Sequence, residues 1–389
     1  MPHSYRGVGR SVAGGNAMKR RVLVRVAAAS VVLVIAVACS NGGSSTPEAT
    51  GGGSSATTNP ADMSGTIRLL SYSDGFDPKY LASFHQEYPN IKLETASMDS
   101  NEAAIAKIQA GFQVDVINSC VDEATLEMDQ KGLYMPLDAS KLTNWPDLFP
   151  TMKALPGVQY QGKIYMVPVD AGTAGVLYNA DVVTTPPDSW TALFDPQWKG
   201  RVGMEDNSTT ALMIGALATG ITDPLHMTPT QLDSVKSYLI AHKDQFRTFW
   251  HGDAEVKSLF KSGEIVISSG YPDNAKFLQK EGVNVKFAVA KEGQFLWACG
   301  YGISPSIDPK NLPAAYALLN WYSSVKAEMF EASYWNYQIA NQKVLDVAPK
   351  SLIAEAGLDA PFHMQNAIPA SPPENRDAWV AAWTEVKAS

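Results

Sequence analysis

Short apolar runs alternate with helical patterns through the first third of the chain. Residues 65–70 form an apolar run of strand length, and Asp77 followed by Pro78 then supplies a helix N-cap with proline in the first turn. The next apolar side chains recur at helical spacing: Tyr80, Leu81, Phe84 and Tyr88. A strand followed by an amphipathic helix that packs one face on a sheet is therefore predicted.

The same alternation is then repeated. Residues 91–95 predict a second strand, and residues 114–117 predict a third. Between them, Asp99 and Glu102 have the spacing of a capping box at the start of a helix. The order βαβαβ predicts a parallel, doubly wound α/β sheet.

Ligand binding is expected at one edge of this sheet. Parallel, doubly wound sheets bind ligands in the crevice at the carboxyl ends of their strands. The loops after the first and third strands, residues 71–74 and 118–120, are therefore the first candidates for a site.

The pattern of the remaining residues predicts a second lobe, after which the chain returns to the first lobe. A Gly/Ala-rich segment at residues 171–175 separates the two, a strand is predicted at residues 285–289, and a helix at residues 314–323. The folded part begins near Met63 and runs to the end of the 389-residue chain. This length is too great for one typical core and suits two lobes.

The N-terminus has the layout of an export signal. Four basic residues between Lys19 and Arg25 precede an apolar run that is shorter than the about 20 residues needed to span a membrane. Residues 1–38 are predicted to be a signal peptide, with translation starting at Met18 rather than Met1. The run AVAC ending at Cys39 resembles a bacterial lipobox, which predicts lipidation of Cys39; an ordinary signal peptide that ends near a cysteine is the alternative. Residues 39–62 are rich in Gly, Ser and Thr and predict a flexible linker.

The composition of the chain narrows the classes of molecule that it could bind. The chain has a formal net charge of −8, and residues 1–38 contain no Asp or Glu, so the exported part is more acidic still. Such a surface disfavours nucleic acid and anionic lipid headgroups and suits a cationic small molecule, although acidity also serves solubility. Besides Cys39 there are two cysteines, Cys120 and Cys299, and the His residues lack ligand spacing. No metal site and no cofactor are predicted.

Two segments carry a family resemblance. The run GKIYMVP at residues 162–168 and the run DSWTALFDPQWKGR at residues 188–201 resemble the extracellular solute-binding proteins of bacterial ABC importers, most of all the spermidine/putrescine-binding proteins. The resemblance covers nearly all of residues 65–389. It implies a monomeric, two-lobed periplasmic-binding-protein-like fold of type II, in which each lobe is a doubly wound mixed sheet and crossing strands form the hinge. Lobe I is expected to comprise residues 63–171 and 275–320, and lobe II residues 172–274 and 321–389.

The resemblance also implies a role and a location. The chain is expected to be a binding protein rather than an enzyme, to hold a small cationic solute between its lobes, and to deliver it to an ABC permease in the cytoplasmic membrane. It is expected outside the cytoplasm, held at the outer face of the cell membrane by the lipid anchor alone.

A set of ligand-binding residues follows from matching the family pattern. Ammonium groups need carboxylates and carbonyls, and the methylene spacers of a polyamine need aromatic walls, which attract cations by about 0.5–2 kcal/mol each. The matched residues are Tyr72, Ser73, Asp74, Ser119, Glu205, Asp206, Trp250, Tyr271, Asp273, Trp297 and Gln338. Asp170 is a further candidate because it stands just before the Gly/Ala-rich segment.

One position departs from the family pattern. Cys299 stands where the family commonly has an aspartate that binds an amine of the ligand. The ligand is therefore either a polyamine, a shorter molecule, or one of another class. Cys120 and Cys299 both match strand ends that line the family's cleft, which suggests a disulfide; two independent thiols are the alternative.

Two other functions are open from the sequence. A binder of zwitterions such as amino acids or opines would need an arginine in the cleft, and Arg201 and Arg247 are the candidates. A secreted hydrolase would need a nucleophile elbow, a metal motif or a placed Ser/His/Asp set, and none of these is recognisable. A carboxylate pair alone is weak evidence for glycosidase chemistry.

Overall fold

A computed structural model describes residues 59–123, 125–359, 367–369 and 371–389. The predicted signal peptide, Cys39 and residues 39–58 of the predicted linker lie outside the described residues. Within the described ranges, every helix is too short or too polar to traverse a lipid bilayer.

Strands and helices alternate along the chain. The strands are β1 (Ser64–Ser71), β2 (Asn90–Ser97), β3 (Val116–Cys120), β4 (Gln159–Tyr160), β5 (Lys163–Ile164), β6 (Met166–Asn179), β7 (Val202–Glu205), β8 (Phe246–Trp250), β9 (Ile267–Gly270), β10 (Val285–Ala288), β11 (Gln294–Ile303), β12 (Gln338–Ile339) and β13 (Ala367–Ile368).

The helices lie between and after these strands. They are α1 (Pro78–Glu87), α2 (Asn101–Gln109), α3 (Thr125–Gln130), α4 (Pro150–Lys153), α5 (Ser208–Ala218), α6 (Pro229–Ala241), α7 (Gly252–Ser262), α8 (Pro272–Lys280), α9 (Leu312–Tyr322), α10 (Val325–Tyr334), α11 (Lys350–Ala356) and α12 (Arg376–Ala388). Several short 3₁₀ turns connect them.

The first lobe confirms the predicted βαβαβ order. β1 pairs in parallel with β2 and with β3. The side chain of Asp77 caps α1 by accepting a hydrogen bond from the backbone N–H of Lys79, as predicted. The predicted Asp99 cap of α2 is wrong by one residue, because Ser100 accepts the hydrogen bond from the Ala103 N–H. The third strand also begins two residues later than predicted.

Two long strands pass from one hydrophobic core to the other. The first half of β6 packs in the first core through Val167 and Val169, and its second half packs in the second core through Val176 and Tyr178. β11 runs antiparallel beside it and pairs with β3 in turn. Among the described residues these strands join one curled sheet in the order β2-β1-β3-β11-β6-β9-β7-β8. The two lobes are therefore connected by crossing strands.

The second lobe repeats the parallel arrangement. β7 pairs in parallel with β8 and β9. Nearly all of α5 is buried, because its small and apolar residues let α6 and α12 pack against it. The chain terminus therefore closes this lobe through Trp379 and Trp383 of α12.

The lobe boundaries stay a prediction, and the packing of the cores bears on two of them. Residues 275–288 were expected in lobe I, but Ala275, Leu278 and Val285 pack with Leu177 and Trp250 of the second lobe. Residues 321–340 were expected in lobe II, but Trp321, Trp335 and Ala340 are buried in the first core. α9 and α10 follow β11 into the first lobe, and their aromatic faces pack on α1. Residues 376–388 pack in the second core, in line with the expectation.

A disulfide joins Cys120 to Cys299. The two residues lie directly opposite each other in the antiparallel pair of β3 and β11, with their Cα atoms 4.0 Å apart. The bridge spans 179 residues of sequence and fastens the first lobe to a crossing strand.

Candidate functional site

A cavity of about 180 Å³ opens at the carboxyl ends of β1 and β3, between the two cores. Its described lining contains eight Asp or Glu residues and eight aromatic residues, and it contains no Lys, Arg or His. The carboxyl groups are those of Asp74, Asp99, Asp122, Glu123, Asp170, Glu205, Asp253 and Glu331. The described lining is therefore rich in carboxyl groups and lacks a basic side chain of its own.

Glu123 is the most connected carboxyl group of the cavity. It accepts hydrogen bonds from the Tyr72 hydroxyl at 3.1 Å, the Asn101 backbone N–H at 3.1 Å and the Asn207 side-chain amide at 2.8 Å. Burial, followed by the charge of Glu102, raises the pKa of Glu123 to about 7. These contacts hold the carboxylate in place beside Asp122, whose pKa burial and Glu123 also raise.

Glu205 faces this group from the second lobe. It ends β7 and accepts a hydrogen bond of 2.7 Å from the Tyr271 hydroxyl. Burial, with a contribution from the charge of Glu123, raises the pKa of Glu205 to about 8. Asp122, Glu123 and Glu205 therefore interact as one acidic cluster at this end of the cavity.

A second acidic group surrounds Asp74 in the loop after β1. Asp74 accepts hydrogen bonds from the Gly75 N–H at 2.8 Å and the Tyr337 hydroxyl at 3.2 Å. Burial and the charge of Asp253 raise the pKa of Asp74 to about 6. Asp170 lies opposite Cys299 on the neighbouring strand, and burial with the charge of Asp74 raises its pKa to about 8.

Trp297 provides an aromatic surface in the cavity. Its ring contacts the edges of Tyr271 and Tyr337, with ring centroids 6.2 and 5.0 Å apart. The indole lies over Gly172 of β6, where an added Cβ would stand 2.4 Å from the Trp297 ring. Glycine at this position is therefore what allows the ring to lie against the crossing strand.

Most of the predicted ligand-binding residues line the cavity. They are Tyr72, Ser73, Asp74, Glu205, Trp250, Tyr271 and Trp297, together with both cysteines and Asp170. Trp250 is almost fully buried and donates its indole N–H to the Ser268 hydroxyl at 2.9 Å, so most of its surface serves packing.

Four predicted residues lie elsewhere. Ser119 points into the first lobe, where its hydroxyl contacts Thr125 and Tyr134. Asp206 points out of the cavity, accepts a hydrogen bond from the Trp383 indole and pairs with Lys387.

The other two are buried beside the lining. Asp273 lies within α8 and accepts a hydrogen bond from Asn274. Gln338 lies on β12, opposite Ala171 of β6, and is absent from the lining.

The sequence interpretation missed several lining residues. Asp122 and Glu123 follow β3 closely, and extending the predicted loop by a few residues would have included them. Asp253, Glu331 and Tyr337 come from α7, α10 and the segment after it, and no local pattern marks them as cavity residues.

The two arginines considered for a zwitterion are not in the lining. Arg247 pairs with Glu264, and both side chains are about half exposed. Arg201 is exposed just before β7.

Three sets of contacts cross between the lobes beside the cavity. Asn207, the N-cap of α5, donates to Glu123, and Ser208 donates to Glu102 on α2 at 2.8 Å. Arg376 at the start of α12 pairs with Glu102 at 3.0 Å and with Glu127 on α3. These contacts join the second lobe to the wall of the cavity formed by the first.

Comparisons with known proteins agree on one family. The family described as "Bacterial extracellular solute-binding protein" matches residues 79–358. The putrescine-binding periplasmic protein PotF of Escherichia coli (strain K12) is 24% identical over 344 residues, which cover 83% of this chain and 91% of that protein. The spermidine/putrescine-binding periplasmic protein of the same strain is 23% identical to this chain. The aligned region covers 67% of this chain and 73% of that protein.

Solved structures share the fold. The spermidine/putrescine ABC transporter substrate-binding protein PotD of Streptococcus pneumoniae superposes with a TM-score of 0.65 at 21% identity, covering 84% of this chain and 98% of that one. MotA from A. tumefaciens B6, solved in complex with glucopine, has a TM-score of 0.69 at 16% identity and covers 83% of this chain and 100% of its own. Both likenesses confirm the predicted two-lobed, type II fold.

The raised pKa values predict how the stability of the ligand-free protein changes with pH. Asp74, Glu123, Asp170 and Glu205 bind protons more tightly in the folded chain than in the unfolded one. Each carboxyl group therefore costs no stability below about pH 4, where it is protonated in both states. As the pH rises towards its folded pKa, the group destabilises the fold increasingly, by about 1.4 kcal/mol for each unit by which the folded pKa exceeds the unfolded one. We expect the melting temperature to fall between pH 5 and pH 8.

Thermal unfolding followed by circular dichroism at several pH values measures this slope. Glu205→Gln should reduce it, because the amide does not ionise. Asp308→Asn is the control, because Asp308 is exposed and its pKa is lowered by the Lys310 side chain, so that it titrates below this range. A flat profile in the unmodified protein would contradict the expectation.

Proposed function

The chain belongs to the family of bacterial extracellular solute-binding proteins, and from that premise we propose that it is the substrate-binding component of an ABC importer for a polyamine or a related organic cation. The observation that carries this proposal is the cavity lining, in which eight carboxyl groups converge without a basic side chain. The matched family and its relatives are solute-binding proteins, which agrees with the prediction that the chain is not an enzyme.

Physical chemistry supports a cation with more than one charge. Buried carboxylates are costly unless a positive charge or hydrogen-bond donors compensate them. The acidic groups fall into the Glu123 cluster and the Asp74 group, which suits charges at two ends of a ligand. Trp297 offers an apolar surface for methylene groups and attracts cations through its ring face. The relatives named for putrescine and spermidine are consistent with such a ligand.

A zwitterionic solute is less well supported. Its carboxylate would need a positive partner, whereas Arg201 and Arg247 both lie outside the described cavity lining. A hydrolase is likewise unsupported, because the matched family consists of binding proteins.

Delivery to a permease requires the lobes to open and close around the solute. The crossing strands β6 and β11 would act as the hinge, and the contacts of Arg376, Asn207 and Ser208 would hold the closed form. Lipidation of Cys39, followed by the polar linker, would keep the protein at the outer face of the membrane as a monomer.

The adjacent residues Glu205 and Asp206 provide a test of the ligand class. Glu205 lines the cavity, and Asp206 points away from it. We expect Glu205→Gln to weaken binding of a polyamine by about one to two decades, because a charge-assisted hydrogen bond is worth about 1.5–3 kcal/mol. Asp206→Asn should leave the affinity unchanged.

Calorimetry with putrescine and spermidine measures these affinities, after a thermal-shift screen that also includes choline-type cations and amino acids. A ligand at 100 times its Kd raises stability by about 2.7 kcal/mol, which such a screen detects. Stabilisation by amino acids and by none of the cations would overturn the proposal.

Arg376 provides a test of lobe closure. Arg376→Met should weaken ligand binding about three- to tenfold, mainly by faster release, because the guanidinium pairs across the lobes without lining the cavity. Stopped-flow measurement of the dissociation rate checks this.

Arg68→Met is the matched control. Arg68 pairs with Asp115 inside the first lobe, so its loss should lower stability without changing ligand release. Equal release rates in the Arg376 variant and the unmodified protein would show that these ion pairs do not hold the closed form.

Cys39→Ala tests the anchor. We expect this variant to appear in the medium with unchanged ligand affinity, measured by fractionating cells and purifying the released protein. Retention of the variant at the membrane would rule out lipid at Cys39 as the anchor.

A further inference from the structure

We propose that Asp170 and Glu331 form an ammonium subsite beside Asp74 in the cavity and that this subsite selects ligands ending in a primary amine. The proposal rests on the proposed function, since it concerns one end of the same ligand. Neither residue follows from the resemblance to the polyamine-binding proteins.

Both side chains are buried and carry an oxygen atom without a partner. Glu331 is 2% exposed and Asp170 is 9% exposed. Asp170 Oδ1 and Glu331 Oε2 have no hydrogen-bond partner in the described structure. An unsatisfied carboxylate oxygen in such an environment is costly, so its presence beside a cavity indicates a donor that arrives from outside.

The surrounding elements hold both groups in place. Asp170 lies in the middle of β6, between Cys299 of β11 and Ile339 of β12. Glu331 lies on α10, and its other oxygen accepts a hydrogen bond from the Tyr80 hydroxyl. Because both residues are on regular elements, the two free oxygens have fixed positions before any ligand binds.

The charged groups around Asp170 and Glu331 are all of the same sign. Burial raises the pKa of Glu331 well above its usual range, and the charges of Asp170 and Glu328 raise it further. Asp74 acts on both Asp170 and Glu331 in the same direction. No described Lys, Arg or His lines the cavity to neutralise them. A cationic ligand would supply the missing charge.

The walls fit the end of an alkyl chain. Tyr80 meets Trp335 edge-on at 5.2 Å between ring centroids, and Trp335 stacks on Tyr337 at 5.7 Å. The aromatic residues therefore enclose the last methylene groups, and the oxygens remain for the terminal nitrogen. A primary ammonium has three N–H donors, which Asp170, Glu331 and Asp74 can accept, whereas a quaternary ammonium has none.

The subsite also offsets a charge missing on the adjacent strand. Cys299 carries no charge because it is in the disulfide, and Asp170 lies directly opposite it in the register of β6 and β11. The acidic groups of this subsite thus come from β6 and α10 rather than from β11.

The test compares a diamine with a ligand of the same charge and chain length that has no N–H donor. The probes are 1,4-diaminobutane and 1,4-bis(trimethylammonio)butane, and binding to the full exported chain is measured by calorimetry at pH 8. Asp170→Asn and Glu331→Gln keep the size of each side chain. We expect each to weaken 1,4-diaminobutane about tenfold or more and to reduce its preference over the quaternary probe by a similar factor.

Asp129→Asn is the matched control. Asp129 on α3 is also buried, and both of its oxygens lack partners, but it does not line the cavity. This variant should keep both the affinity and the preference. Circular dichroism establishes that each variant is folded.

The outcomes separate the two proposals. If the unmodified protein binds diamines and both variants keep the preference for the diamine, the subsite is overturned and the proposed function stands. An equal loss of affinity for the diamine and the quaternary probe also overturns it, because that pattern is a general change of the cavity. If no amine binds the unmodified protein, both proposals fall.

Discussion

The structure depends on carboxyl groups concentrated in a partly buried cavity whose described lining holds no basic side chain. The charge of Glu123 raises the pKa of Glu205, the charge of Asp74 raises that of Asp170, and no described basic side chain lines the space between them. The folded chain tolerates this arrangement because tyrosine hydroxyls and backbone N–H groups donate to several of the carboxylates. A bound cation, as proposed above, would offset this cost, so the same groups that weaken the empty protein would strengthen the complex.

The two lobes share the acidic groups between them, which relates binding to domain movement. Glu123 belongs to the first lobe and Glu205 to the second, and Asn207 donates to Glu123 across the gap. A cation bound between them, as proposed, would attract both lobes at once. The Arg376 ion pairs lie outside the cavity and act on the same equilibrium without contacting the solute. Affinity and closure can therefore be altered by separate residues.

The fold could be predicted from the sequence in most respects, whereas the site could be predicted only in part. The βαβαβ pattern and the loop containing Tyr72 and Asp74 depend on local spacing, which a sequence displays directly. The predictions for Ser119 and Asp206 were wrong for the same reason. Adjacent residues of an extended chain point to opposite sides, so Cys120 faces the cavity instead of Ser119, and Glu205 instead of Asp206. Glu331 could not have been found in this way. It comes from a helix more than 200 residues beyond the first loop, and only the assembled fold brings the two together.

The bridge between Cys120 and Cys299 also bears on how the chain matures. With export through the predicted N-terminal signal, the first of these thiols would emerge long before its partner, which stands 179 residues further on. During that interval Cys39 is the only other thiol of the chain with which it can pair. Attachment of lipid to Cys39, or removal of that residue from a recombinant chain, leaves a single intramolecular product of oxidation. The pairing is then decided by the number of cysteines available and does not require an isomerase to sort alternatives.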